Sequence, residues 1–266
     1  MTSTKSVGLN KVPSKFTQIG VIMKYTLLDY VRSRRFFILM ALTLVMSIVL
    51  AVVVGKGIFG VWGTFAPIFI TFSVVFFGGD AISGEFQNKT GYFSVPNPIQ
   101  RSVIYTGKWL SAFTASCITF GVFAASTLIT GLYHSNVPSE FGLSVMFAYF
   151  YLAAIVGFVF FVSSLFKSST NAFIVDIVVL MLVFSIVSQI AGMIPVEPWF
   201  SLSYGGEIMT TILQNPYPPN MVVNQFGSVT MTTYNPTVAE GLAIMGVYLI
   251  VTTVAGLLLF KRKEFN

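Results

Sequence analysis

The residues able to do chemistry in this sequence are few, because only 9% of its 266 residues are charged. The densest polar stretch is 84–108, which contains Glu85, Lys89, Arg101 and Lys108. Glu85 and Lys89 are four residues apart, a spacing at which an acid and a base stabilise a short helix. Such a helix also presents both charges to a polar groove of another molecule. We therefore interpret 84–108 as a surface that a separate soluble partner contacts; the alternative is an ordinary loop with solvated charges.

Motifs for nucleotide, metal or nucleophile chemistry are absent from the sequence. Gly107-Lys108 is followed by Trp109 and lacks the upstream glycine of a phosphate-binding loop, so ATP binding of that kind is not expected. The chain has one cysteine, Cys117, and one histidine, His134, which excludes a metal site built from these residues. No HExxH or GxSxG pattern occurs. We expect a chain that is not an enzyme and that binds no cofactor or metal itself.

Asp176 is the acidic residue that lies deepest in an apolar stretch of the sequence. The helix rise places it at a depth of roughly 8 Å from the end of that stretch. An acid at this depth in a membrane is costly and tends to face the interior of a helix bundle or a wet cavity. Two roles stay open for Asp176: gating or substrate passage, and structural hydrogen bonding near the interface.

The composition is that of an integral membrane protein. Hydrophobic residues make up 55% of the chain and its mean hydropathy is +0.82, whereas a soluble domain carries about 25% charged residues. The net charge of +6 is spread over basic residues that flank apolar runs instead of clustering on one face. This pattern predicts contact with the lipid bilayer and no contact with nucleic acid.

The sequence before the first apolar run divides into two parts. Residues 1–15 contain three lysines and no apolar core, which predicts a disordered cytosolic leader instead of a cleaved signal peptide. Over 16–35 the apolar residues recur every three or four positions, which predicts an amphipathic helix in the membrane interface, with Ser14 as its cap. The alternative for 16–35 is a plain helical leader into the first span.

Six apolar runs make 36–266 an all-α, six-span domain. Each run contains close to the roughly 20 residues that cross a bilayer. The predicted spans are 36–54, 58–79, 109–133, 143–166, 172–194 and 238–260.

The distribution of lysine and arginine predicts the orientation of these spans. Fourteen basic residues fall on the side of the two termini and only Lys56 falls on the other side, so both termini are expected in the cytosol of a multi-pass protein of the cell membrane. The loop 80–108 is then cytosolic. The residues predicted to anchor the spans at this face are Arg32, Arg34, Arg35, Arg101 and Lys108.

The loop 195–237 is the one large feature on the opposite side. It contains Glu197 and Glu207, no basic residue, six prolines and several aromatic residues. A stretch this apolar is not expected to extend freely into water. We predict short helices or turns that pack over the outer mouth of the bundle as a cap.

The polar loop and the topology resemble a known family. Residues 81–91 read AISGEFQNKTG, and Asn97-Pro98-Ile99, Arg101 and the sequence YTGK at 105–108 follow. Together with the amphipathic helix predicted for 16–35 and the six spans, this pattern resembles the permease subunits of type-2 ATP-binding-cassette (ABC) exporters. The resemblance covers the whole topology.

The resemblance implies a mechanism in which another subunit hydrolyses ATP. In that family the loop after the second span forms a coupling helix that docks on a cytosolic ABC ATPase, which binds ATP and Mg²⁺. It also implies two ATPases and a second permease, either a copy of this chain or a paralogue. The residues that match the coupling segment are Gly84, Glu85, Phe86, Asn88, Lys89, Thr90 and Gly91.

Two other classes of function compete with this interpretation. An ion- or proton-coupled secondary carrier, or a channel without an ATPase, is expected to have ionisable residues at mid-membrane or inverted repeats. A membrane enzyme is expected to have a catalytic cluster. Neither feature is clear in this sequence, which favours the permease.

Overall fold

The computed structural model of the chain describes residues 14–87, 100–194, 196–226 and 229–263. Most of these residues are helical. A 3₁₀ turn over Gly55–Gly57 joins the second and third helices, and a π-helical segment, Val178–Val183, joins the seventh and eighth. The helices are α1 (Lys15–Arg32), α2 (Arg34–Val54), α3 (Ile58–Gly78), α4 (Ser83–Gln87), α5 (Arg101–Tyr133), α6 (Phe141–Leu165), α7 (Ser169–Ile177), α8 (Phe184–Met193), α9 (Leu202–Gly206), α10 (Ile208–Thr211) and α11 (Val238–Arg262).

By length and composition, five helical stretches among the described residues are able to cross a membrane. The first of them is Arg34–Gln87, whose 54 residues include α2, the 3₁₀ turn, α3 and α4. The other four are Arg101–Tyr133, Phe141–Leu165, Ser169–Met193 and Val238–Arg262.

The first stretch folds back on itself at the 3₁₀ turn. Gly55 has a φ of +53°, a conformation that residues with a Cβ rarely adopt. The rings of Phe36 and Phe77 lie 6.0 Å apart, whereas one straight helix would separate them by roughly 60 Å. The start of α2 therefore lies beside the end of α3.

Helix α1 corresponds to the amphipathic segment predicted for 16–35. Ser14 caps its first turn, as the sequence predicts, and the helix ends at Arg32. A Cβ built on Gly107 of α5 would lie 2.7 Å from a side-chain carbon of Ile22, so only glycine allows α1 to approach α5 this closely. The predicted leader 1–15 lies outside the described residues except for its last two positions.

The core is formed around α6, whose most apolar window is 61% buried. Trp62 of α3 is fully buried, stacks on Phe123 of α5 at 5.4 Å and contacts Phe141 of α6 edge-on at 5.1 Å. Its indole N–H donates to Ser144 Oγ at 2.9 Å. Aromatic packing of this kind stabilises a bundle inside lipid, where neighbouring helices gain little from burial of apolar surface alone.

The stretch formed by α7, the π-helical segment and α8 lies at the periphery. Only 11% of its most apolar window is buried, and Leu182, Ile186 and Ile190 are among its exposed apolar residues. Helix α2 has a similar exposed apolar face that includes Phe37 and Val45. Both faces are uncovered by the described residues.

The segment 196–237 forms a small module that includes α9, α10 and a β-hairpin. Strands β1 (Met221–Phe226) and β2 (Val229–Tyr234) pair antiparallel, with Val223 opposite Thr232. The two short helices agree with the sequence prediction, whereas the hairpin is an element that the sequence analysis did not predict. We call the end of the bundle that carries this module the hairpin end.

Candidate functional site

Helix α4 lies at the end of the bundle opposite the hairpin end. We call this end of the bundle the basic end, because Arg35, Arg101, Lys108 and Lys263 also lie there. The described contacts of α4 join it to α5, α6, α7 and the end of α11.

A buried hydroxyl group fixes the start of α4 to α6. The backbone N–H groups of Ile82 and Ser83 donate to Ser163 Oγ at 3.2 and 3.1 Å, and Ser163 in turn donates to Ser83 Oγ at 3.3 Å. The first N–H groups of a helix have no partner within it. Ser163 therefore supplies the cap that the sequence of α4 lacks.

Lys108 fixes α4 to α5. Its ammonium group donates to the carbonyl oxygen of Ala81 at 2.9 Å and forms a short ion pair with Glu85 Oε1. Both side chains are about one-fifth exposed, so water screens this pair less than a pair on an open surface. Glu85, which the sequence analysis paired with Lys89, contacts a residue 23 positions further along the chain, and Lys89 itself lies outside the described residues.

Aromatic and cationic contacts fix α4 to the end of α11. The ring of Phe86 meets that of Phe260 edge-on at 5.9 Å, and Lys263 Nζ lies 4.3 Å from the centre of the Phe86 ring. Lys263 also donates to the carbonyl oxygens of Ser164 and Phe166 at 3.1 and 2.8 Å. Burial lowers the pKa of Lys263. An ammonium over an aromatic ring adds a modest attraction.

Two further contacts complete the links between helix ends. Gln87 Oε1 accepts a hydrogen bond from the backbone N–H of Ser169, the first residue of α7, at 2.8 Å. Arg101 donates to the carbonyl oxygens of Lys261 and Lys263 at 2.9 and 2.6 Å. A cation at the C-terminus of a helix is favourable because the last carbonyl groups are unpaired and carry partial negative charge.

An ion pair between Arg35 and Asp80 links the start of α2 to the residues that follow α3. The Arg35 guanidinium donates to Asp80 Oδ2 at 2.5 Å. Next to this pair is an open cavity of about 280 Å³, lined also by Phe76, Ser169 and Phe173. The cavity thus lies between the Arg35–Asp80 pair and the first turns of α7.

Asp176 lies close to this junction and is fully buried. Neither of its carboxylate oxygens has a hydrogen-bond partner among the described residues. A Cβ built on Gly79 would lie 3.4 Å from Asp176 Oδ2, so the carboxyl group packs against the end of α3. The π-helical segment begins two residues later, and such segments often mark functional sites.

The structure describes only some of the residues that the sequence analysis predicted for this site. Gly84, Glu85 and Phe86 lie in α4, while the predicted contacts at 88–91 fall outside the described residues. Among the predicted anchors, Arg32 ends α1, Arg34 and Arg35 begin α2, Arg101 begins α5, and Lys108 lies in α5 beside α4.

Sequence reasoning did not single out Ser163, Asp80 or Lys263, each of which contacts the site. A serine in an apolar run gives no sign that it caps a distant helix. No group of three His, Cys, Asp or Glu side chains that could hold a metal ion occurs in the part of the chain that the structure describes.

Comparison with models of known protein families gives a match. The family model described as "ABC-2 family transporter protein" matches residues 62–265, which are 204 of the 266 residues. The chain belongs to the ABC-2 transporter family. No curated protein matches the chain.

Membership confirms the resemblance seen in the sequence, so the chain is a type-2 ABC transporter permease and a multi-pass membrane protein. Permeases of this family are membrane subunits that act in general with an ABC ATPase. The matched range contains α4 and every residue described above that anchors it.

Proposed function

We propose that this permease crosses the cell membrane six times and exports its substrate, using ATP that a separate ATPase hydrolyses. The reversal at Gly55–Gly57 supports two crossings within Arg34–Gln87, which raises five stretches to six. The basic end is then cytosolic, because lysine and arginine accumulate on the cytosolic side of membrane proteins. ATP and Mg²⁺ are bound by the ATPase.

The contact with the ATPase is made by α4, through Gly84, Glu85 and Phe86 and through Asn88, Lys89, Thr90 and Gly91 beyond them. The observation that carries this proposal is the anchoring of α4. Five consecutive helical residues contact α5, α6, α7 and the end of α11. A displacement of such a docking element changes its contacts with four parts of the bundle at once.

Anchoring on several elements explains how ATP could act at a distance. Nucleotide-driven closure of the ATPases displaces α4, and its contacts then favour one arrangement of the spans over another. ATP shifts this equilibrium only because the docked arrangements differ in free energy. Arginines at helix ends hold the spans at the cytosolic face during this movement; they are Arg32, Arg34, Arg35 and Arg101.

A second permease, identical or paralogous, completes the transporter in this proposal, with the pathway between the two. The exposed apolar faces of α2 and of α7–α8 support it, since both are large and uncovered in one chain. A complete complex then contains two permeases and two ATPases.

Asp176 is our candidate gating residue. A buried carboxyl group without a partner is unfavourable and persists only where the surroundings fix it. Asp176 also supports the alternative function, an ion- or proton-coupled secondary carrier or channel, because such proteins use buried carboxyl groups. The presence or absence of an ATPase partner distinguishes the two functions.

The test is purification of the tagged chain in a gentle detergent, followed by identification of the proteins that accompany it. We expect a stoichiometric soluble ATPase with phosphate-binding loops. Glu85→Arg removes this partner, because the new cation faces Lys108 and displaces α4. The matched control is Glu140→Arg, at an exposed position before α6, which leaves the partner bound.

Recovery of the chain alone, in a form that still transports without ATP, would replace the permease with the carrier. Retention of the ATPase by Glu85→Arg, with unchanged transport, would remove α4 from the docking surface while leaving the permease function in place.

A further inference from the structure

The inner face of α7 is closed to water, although the stretch that contains this helix lies at the periphery of the bundle. Ala172 and Asp176 are both fully buried. They are four residues apart, so they lie one above the other on the same face of the helix. Gly79 at the end of α3 faces Asp176 Oδ2, which a Cβ built on this glycine would approach to 3.4 Å. The end of α3 therefore covers Asp176.

This buried position is unfavourable for a carboxyl group. The group has lost its contact with water, and no donor among the described residues forms a hydrogen bond with either of its oxygens. Burial without a compensating hydrogen bond raises the free energy of a polar group, and more so for a charged one. Acidic residues inside membrane proteins almost always face a wet cavity or a partner. A movement that brings Asp176 to water or to a cation is therefore favourable for this side chain.

The open cavity beside the Arg35–Asp80 pair offers both water and a cation. Phe173 of α7 lines this cavity, together with Ser169 and Thr170 from the first turn of the helix. Asp176 follows Phe173 by three residues, so it lies roughly 4.5 Å further along α7 and about 60° around the helix from it. Rotation of α7 by that angle gives Asp176 the direction that Phe173 has now.

The ion pair at the cavity is suited to an exchange of partners. The side chain of Arg35 is 61% exposed and that of Asp80 is 28% exposed. An ion pair that water reaches this well contributes little to stability. Release of Asp80 therefore costs Arg35 little, whereas the guanidinium offers the Asp176 carboxylate charge-assisted hydrogen bonds that it lacks in the buried position.

The π-helical segment Val178–Val183 forms a pivot for such a rotation. It begins two residues after Asp176, and its hydrogen bonds span five residues instead of four. Closing this wide turn to an α-helical one rotates α7 relative to α8 by up to about 100°, the angle between successive residues of an α-helix. Only 11% of the most apolar window of this stretch is buried, so the rotation disturbs little of the core.

The other end of α7 is connected to α4. The backbone N–H of Ser169 donates to Gln87 Oε1 at 2.8 Å, and Ser169 also lines the cavity. A displacement of α4 therefore acts on the first residue of α7, which is the end of the helix that lies farthest from the π-helical segment.

We propose that α7 rotates about the π-helical segment when the ATPase displaces α4, and that this rotation moves Asp176 from its buried position into the cavity, where it pairs with Arg35 in place of Asp80. The inference rests on the proposed function, since it takes α4 as the contact with the ATPase. It gives the gating role of Asp176 a defined movement and a defined partner.

The accessibility of engineered cysteines tests this movement in the complete complex with the ATPase. Asp176→Cys and Ala172→Cys, each in a Cys117→Ser background, place a thiol on the buried face of α7, and Ala172→Cys keeps the carboxyl group. We expect a water-soluble maleimide to label both thiols at least about tenfold faster when ATP is added, because the reactivity of a thiol depends on its exposure.

Three further variants serve as controls for the labelling. Thr170→Cys, at the exposed wall of the cavity, should be labelled with and without ATP, whereas Ala154→Cys, fully buried in α6, should be labelled in neither condition. Gln87→Ala removes the link to Ser169. In the Ala172→Cys chain it should abolish the effect of ATP on labelling while the ATPase stays bound.

A double-mutant cycle tests the exchange of partners. Arg35→Gln is expected to lower ATP-dependent transport about tenfold in the wild type and to cause no further loss in Asp176→Asn, because both variants remove the same pair. The matched control is Arg34→Gln, at the exposed neighbouring position, which should leave transport nearly unchanged.

Labelling of Asp176→Cys and Ala172→Cys that ATP does not change, in a complex that hydrolyses ATP, would overturn this inference and leave the proposed function in place. Additive losses in Arg35→Gln and Asp176→Asn would also overturn it. The same result would follow from ATP-dependent labelling of Ala154→Cys, because the whole bundle would then open instead of α7 rotating. A chain that carries no ATPase would overturn the proposed function, and this inference with it.

Discussion

The basic end and the hairpin end of this permease differ in how their polar groups find partners. At the basic end, the partners are far apart in the sequence: 80 residues for Ser83 and Ser163, and 162 for Arg101 and Lys263. At the hairpin end, close and distant partners occur together: Glu197 accepts from Tyr204 seven residues away, whereas Ser144 donates to the carbonyl oxygen of Met209, 65 residues away.

This difference distinguishes a short helix held mainly by distant residues from a module that combines contacts of its own with contacts to the spans. Long-range contacts at the basic end mean that α4 cannot move without a response from several helices. The hairpin-end module is also joined to the spans: Tyr248 donates to the carbonyl oxygen of Phe200 at 2.6 Å, and Ser144 donates to that of Met209. Damage to the basic end should therefore affect coupling, whereas damage to the hairpin end should leave the anchoring of α4 in place.

The largest effect is expected from Lys108→Ala. The change leaves the Glu85 carboxylate and the Ala81 carbonyl group without this partner, at a cost of about 1–3 kcal/mol. We expect transport-coupled ATP hydrolysis in proteoliposomes to fall at least about tenfold, which is the rate equivalent of about 1.4 kcal/mol. Lys108→Arg should retain most of the activity.

The control for Lys108 is Lys56→Ala, which removes an exposed lysine at the hairpin end and should leave coupling unchanged. Equal losses in the two variants would mean that the two ends do not differ in the way described above.

Ser163→Ala should lower the stability of the basic end. The variant removes the oxygen that accepts from two backbone N–H groups, and each unsatisfied group costs about 1–3 kcal/mol. We expect a lower melting temperature in detergent and faster hydrogen exchange at Ile82 and Ser83. Ser164→Ala is the control, because that hydroxyl donates only within its own helix, to Phe160. Unchanged exchange at residues 82–83 would contradict the capping role of Ser163.

Asp176→Asn separates stability from gating. Replacing a buried carboxyl group that lacks a partner by a neutral amide should raise the melting temperature by an amount equivalent to about 1 kcal/mol. If Asp176 is a gating residue, transport falls in the same variant although the protein is more stable. A stabilised variant with normal transport would assign Asp176 a purely structural role.

Glu207 is expected to have the smallest effect on coupling, because its effect on stability should be confined to the hairpin end. Burial raises the pKa of Glu207 to about 7 from its ordinary value of 4.5. The folded state holds the proton of Glu207 more tightly than the unfolded state does. The contribution of this proton to the stability of the folded state is therefore complete below pH 4.5 and is lost as the pH rises through 7. Melting temperatures of the wild type should fall between pH 5 and pH 8, and this fall should be smaller in Glu207→Gln.

Coupling at the basic end should not follow this titration. A matching pH dependence of coupled ATP hydrolysis, abolished by Glu207→Gln, would show that the two ends communicate more strongly than their contacts indicate.

The sequence predicted the limits of the long helices best where charge or glycine marks them. The helix that contains the first predicted span ends at Val54, as predicted, because Gly55 and Lys56 follow it. The helix that contains the third begins at Arg101 instead of residue 109. Hydropathy does not detect this extra length, because Lys108 is satisfied by α4 and Arg101 by the end of α11, both distant in the sequence.

The β-hairpin carried a signal that the sequence analysis did not use. Gly227-Ser228 separates two runs rich in β-branched residues, a pattern typical of a two-residue hairpin. For the candidate site, the pairing of Glu85 with Lys108 and the capping by Ser163 could not be predicted, since local spacing rules compare only residues three or four apart. The pairing of Glu85 with Lys89 stays a prediction.

The most direct test of α4 as the ATPase contact is chemical cross-linking from a single engineered cysteine. Gln87→Cys, in a Cys117→Ser background, places a thiol at an exposed position of α4, and Met221→Cys places a control thiol at the exposed start of β1. In the active complex, we predict that Gln87→Cys cross-links to the ATPase with a yield that changes when ATP is added, while Met221→Cys forms no such product. An active complex in which Gln87→Cys never reaches the ATPase would contradict this account.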